Sequence, residues 1–77
     1  MNQTIRQHQL LAIMLDKCNE RIAELEGQVQ NTLTVLVEMN LPQAEITRVI
    51  DGLRDVSGLN SKYEEKARLI VDLANLQ

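Results

Sequence analysis

The chain reads as an all-α protein: a long N-terminal helix with two shorter helices folded back on it, a helical hairpin or bundle expected to be a dimer. Three observations predict this. Leu11, Leu15, Cys18, Ile22, Leu25, Val29 and Leu36 follow one 4-3-4-3 spacing, interrupted only by Thr32; that is the seam of a coiled coil or helical hairpin. No Pro lies between Met1 and Leu41, and the only Gly there is Gly27. Beyond that point, strong helix-ending signals stand at Asn40-Leu41-Pro42 and Ser57-Gly58.

The first helix is predicted over about residues 4–39, roughly 50 Å long at 1.5 Å per residue. Asp16, Lys17, Glu20, Arg21, Glu24 and Glu26 give it a solvated face, with Lys17–Glu20 and Arg21–Glu24 at a helpful three-residue spacing. Thr32-Leu33-Thr34-Val35-Leu36-Val37 alternates like a strand, but has no partner to pair with. Gly27 and Gly52 interrupt helical pattern, each at a cost of about 1 kcal/mol against Ala. They read either as close approaches of another helix or as tolerated kinks.

Pro42 disfavours helical geometry at Leu41 and suits the first turn of a new helix. The second helix is predicted over about 42–56, with Ile46, Val49, Ile50 and Leu53 inward and Arg48, Asp51 and Asp55 outward. Gly58 suits a left-handed cap. Ser61 and Glu64 read as a capping box opening the third helix at about 62–76. Its inward residues are predicted as Ala67, Ile70, Leu73 and Ala74, widened by Leu69, Val71 and Leu76.

With 77 residues this is one domain, small for a single core. Twelve Leu, six Ile, six Val and three Met are many to hide in so short a chain, with one Tyr and no Phe or Trp to help. A short pair of helices on a long rod should leave part of the seam bare, and oligomerisation is the usual remedy. The seam residues Leu11, Leu15, Cys18, Ile22, Leu25 and Val29 are therefore the expected dimer interface. Leu10, Ile13, Met14, Val35 and Val37 are the expected partner-binding face.

The net charge is −3, with eight basic residues scattered singly. That disfavours nucleic acid as a partner, although a dimer presenting Arg48 and Arg54 twice is an alternative reading. The first residues carry no signal-peptide pattern, and no window reaches the roughly 20 apolar residues that span a bilayer. One free Cys and no export signal imply a reducing cytoplasm.

Chemistry is sparse. His8 and Cys18 are the only His and Cys, roughly 15 Å apart along a continuous helix, so they form no catalytic pair. Cys18 reads as a small apolar seam residue, able to meet its twin only if two copies align in parallel; His8 reads as solvent-exposed. No metal-ligand set, nucleophile–base pair or phosphate-cradling glycine loop is present. The expectation is a protein that is not an enzyme and takes no cofactor or metal.

Gly27-Gln28-Val29, Asn40-Leu41, Ile46, Val49-Ile50, Leu53, Leu69-Ile70 and Leu73 resemble the YmgB/AriR/YcgZ family of small enterobacterial stress and biofilm regulators, without gaps from about Gly27 to Leu73. In layout, and at Asn40, Gln43, Arg48, Ile50 and Asp51, the chain is also similar to the IraP-type anti-adaptors. The resemblance implies an all-helical dimer that binds a regulatory protein of a stress response: a phosphorelay component in the first case, with DNA binding also proposed there, and the adaptor delivering a sigma factor to proteolysis in the second. A small co-chaperone for a secretion or phage assembly component fits the same helical layout.

Overall fold

The computed structural model describes residues 2–76, and every regular element in it is helical: α1 (Asn2–Glu38), α2 (Gln43–Val56) and α3 (Leu59–Ala74). The strand-like stretch in α1 is helix. The Thr32 and Thr34 hydroxyls donate one turn back, to the carbonyls of Gln28 (3.1 Å) and Gln30 (3.0 Å). That satisfies two β-branched polar side chains without breaking the ladder.

The three helices form two limbs. α2 and α3 lie end to end and antiparallel to α1. Arg54 and Tyr63 both reach Glu26, the Cys18 thiol donates to the Lys62 carbonyl, and Asp72, Asn75 and Leu76 sit beside Gln7, Leu10 and Leu11. The molecule is a rod of 58 × 16 × 15 Å. This corrects the expectation of a partly bare seam: the short helices are laid in series, so together they cover α1 almost to its start.

The seam is consequently the core of a single chain. Cys18, Ile22, Leu25 and Val29 are buried with Leu59 and Leu69, and Leu11, Leu15, Ile50 and Leu53 pack against them half-buried. Ile46 is buried towards the closed end. The six residues expected at a dimer interface are thus engaged within the hairpin: Cys18, Ile22, Leu25 and Val29 are buried there, and Leu11 and Leu15 keep part of their surface open.

Asn40 closes the first limb in the left-handed region (φ 59°), which Asn tolerates better than most residues. Pro42 caps α2, its carbonyl accepting from the amides of Glu45 (3.0 Å) and Ile46 (3.1 Å). Gly58, at φ 85°, ends α2 and at once caps α3. Its amide bonds Asp55 O (3.2 Å), and its carbonyl accepts from Lys62 N (3.0 Å).

The predicted capping box does not form. Helix α3 starts three residues before the predicted 62, so Ser61 lies inside its first turn, and Gly58 caps without a side chain. The inward face of α3 is also corrected. Leu59 and Leu69 are buried, and Lys62, Lys66, Leu73 and Leu76 are half-buried, whereas Ala67, Ile70 and Ala74 are exposed. Half-burial of a Lys is what an aliphatic stem laid along apolar surface gives, and the Lys62 ammonium donates to Glu65 at 2.9 Å. In α2, Ile46, Ile50 and Leu53 face inward as expected and Val49 does not. A Cβ at Gly27 or Gly52 would meet nothing within 4 Å, so neither glycine marks a close helix approach.

Candidate protein-interaction surface

A polar clamp positions the limbs. Arg54, in the last turn of α2, donates to Glu26 of α1 through Nη1 (2.8 Å) and Nη2 (3.5 Å), and Tyr63 Oη, one turn into α3, donates to the same carboxylate. One carboxylate therefore ties all three helices together at the break in the return limb. The Tyr63 hydrogen bond, then Arg54, holds the Glu26 carboxyl below its ordinary 4.5. Reciprocally, Glu26 raises Tyr63 above 10.0 and pushes the Arg54 guanidinium higher still. The pair is about one-third exposed, so screening limits its contribution to stability. Of the two arginines weighed for DNA, Arg54 is committed here, and Arg48 makes a loose pair with Glu45 at 4.0 Å.

Cys18 is the buried chemical group of the core. Its Sγ lies 3.3 Å from the Lys62 carbonyl and 3.8 Å from Glu65 Oε2. Burial, then the Glu65 charge, raises the thiol above its ordinary 9.0. Such a thiol is a poor nucleophile at neutral pH. Glu65 itself is lowered by its 2.9 Å bond from Lys62.

What remains for recognition is apolar surface. Leu10, Ile13, Met14, Val35 and Val37 are all exposed, but they do not make one patch. At 100° per residue, Leu10, Met14 and Val35 share one flank of α1. Ile13 points away from the return limb, and Val37 lies on the opposite flank, with Glu26. About 30 Å of helix separates Met14 from Val35. Leu10 also borders an open depression of about 370 Å³ lined by Gln7, Leu11, Asp72, Asn75 and Leu76.

Sequence reasoning missed the ordered part of this surface. On α3, Tyr63, Ala67, Ile70 and Ala74 are exposed at 4-3-4 spacing, a stripe on the same side as the clamp. In the sequence Ala67, Ile70 and Ala74 read as core, and Tyr63 stands only inside the Ser61–Glu64 capping pattern. Met39, Val49 and Val56 are exposed as well, Val56 by 82%.

No protein-family model matches this chain, and neither a curated protein nor a solved structure matches it. Among the described residues, no helix is long and apolar enough to cross a membrane.

Proposed function

We propose that this chain is a small, non-enzymatic, cytoplasmic regulator that acts by covering the working surface of another protein with the exposed stripe of α3. The observation that carries this reading is the stripe itself. Tyr63, Ala67, Ile70 and Ala74 repeat with helical spacing outside the core, and Glu64 and Lys66 supply charge beside them. A helix presenting apolar residues at three- and four-residue steps is a standard element for docking in a groove. Tyr63 adds an aromatic side chain already held by its bond to Glu26, and interface anchors are enriched in such residues. In keeping with the resemblance of residues 27–73 to stress-response regulators, the partner is a signalling or proteolysis factor.

A photo-crosslinking residue at position 70, compared in cells with one at the exposed position 20, tests this. The expected outcome is a discrete adduct from position 70 alone, containing a signalling or proteolysis factor. An abundant assembly subunit in the adduct would favour the co-chaperone reading instead. Equal labelling from both positions, or no adduct, would refute the proposed surface.

A further inference from the structure

Opposite the clamp, α1 carries a second apolar surface. Leu10, Met14, Lys17, Arg21, Gln28, Thr32 and Val35 fall within an arc of about 60° at 100° per residue. Met39 extends the arc, because its amide still bonds Val35 O at 3.0 Å. The order along this flank is apolar, charged, polar, apolar. Leu10, Met14, Val35 and Met39 are 57%, 41%, 53% and 60% exposed.

We propose that a second copy of the chain docks on this flank, with the two α1 helices antiparallel across a two-fold axis near Glu24 and Leu25. The spacing is symmetric about that point. Position 10 then faces 39 of the other copy, 14 faces 35, 17 faces 32, and 21 faces 28. Each apolar end meets an apolar end, as a self-complementary two-fold interface requires. Charge selects the direction. A parallel pair would set Lys17 against Lys17 and Arg21 against Arg21. The antiparallel pair sets them against neutral Thr32 and Gln28. It also brings each Arg21–Glu24 ion pair (2.9 Å) beside its twin in reversed order.

The exposed area is sufficient. One chain exposes 5796 Å², against about 4,800 Å² for a compact monomer of 8.8 kDa. That surplus belongs to the whole 58 Å rod, and a flank running from Leu10 to Met39, roughly 44 Å at 1.5 Å per residue, is long enough to supply the roughly 800 Å² that each partner contributes to a stable interface. This inference goes beyond the proposed binding role and needs no second protein. The α3 stripe stays free on the other flank of each copy.

Light scattering at tens to hundreds of micromolar, joined to disulfide mapping, tests the proposal. The wild-type chain should have twice the 8.8 kDa mass, and Leu10→Glu with Val35→Glu should weaken association at least tenfold while keeping the helical circular dichroism. A mixture of Met14→Cys and Val35→Cys chains should oxidise to a mixed dimer, while either variant alone should not, its cysteines lying about 30 Å apart across the pair. Buried Cys18 remains in all samples, and the wild type is the control for it. If the helical signal of these variants falls, Leu10→Cys mixed with Met39→Cys, both more exposed, gives the same readout. A mass of 8.8 kDa throughout, self-linking of Met14→Cys alone, or a dimer with no mixed adduct would each overturn the proposal. None of these results bears on the α3 crosslink, so the two readings fail separately.

Discussion

The outgoing limb and the return limb both contain glycine, yet only one of them breaks. α1 runs unbroken through Gly27, while the return limb stops and restarts at Gly58. Open space surrounds the missing Cβ at both positions, so crowding does not explain the difference. Phase does. In α1 the seam passes Ile22, Leu25 and Val29 without a shift. In the return limb, continuing the inward spacing of Ile46, Ile50 and Leu53 would carry Ser57, Asn60 and Glu64 into the core. The left-handed turn at Gly58 (φ 85°) resets the phase, and Leu59, fully buried, enters instead. A glycine breaks a helix where the apolar register has to change, and is only a weak point where it does not.

The largest effect should come from the residue that the reset serves. Leu59→Ala removes a side chain with no exposed surface and should cost about 2–5 kcal/mol, read as a fall in the urea midpoint. A loss below about 1 kcal/mol would mean that the break is not built around Leu59.

The two glycines should then respond with opposite signs. Gly58→Ala meets no neighbour but forces an L-residue into the left-handed region, at roughly 1–2 kcal/mol. Gly27→Ala, in helical backbone with the same open space, should gain about 0.5–1 kcal/mol. Equal effects in thermal melts would erase the contrast between the limbs.

The clamp across the break should give the smallest effect. Arg54→Met should cost under about 1 kcal/mol, since the pair is partly solvated. Its pH dependence is more telling. Glu26 is held below 4.5 when folded, so its contribution is full above that value and fades as pH falls through the lowered one. Tyr63 is held above 10.0, so its contribution is full below 10.0 and is lost as pH rises through the raised value. Stability plotted against pH should therefore lose a little at each end. Tyr63→Phe should abolish the alkaline loss and soften the acid one; an unchanged alkaline limb would remove Tyr63 from the clamp.

The helices and the seam were legible because long apolar periodicity, Pro42 and Gly58 all point the same way. What escaped were phase and order. Ser61 and Glu64 have the right spacing for a cap, but a cap needs a non-helical residue ahead of it. Gly58 already supplies that three residues earlier. On α3 the inward reading mixed two stripes: Ala67, Ile70 and Ala74 belong to the exposed one, and Leu69 and Leu73 to the inward one, which also holds Leu59, Lys62 and Lys66. Counting apolar residues favours the first, because Lys stems are invisible to such a count. That the seam is covered within one chain was hidden for a related reason: helix lengths do not say whether two short helices lie side by side or in series. The exposure of Leu10, Ile13, Met14, Val35 and Val37 was readable as surplus, and their scatter follows from the same 100° per residue, but which flank lies beside the clamp is fixed only by the return limb.

Laying the return helices in series also governs how the molecule diffuses. Its radius of gyration is 17.0 Å, against about 11.5 Å for a compact chain of this length, and equal to that of a compact chain of roughly 200 residues. A single copy will tumble anisotropically and leave a sizing column early, in the position of a much heavier globule. Elution volume will therefore overstate its mass.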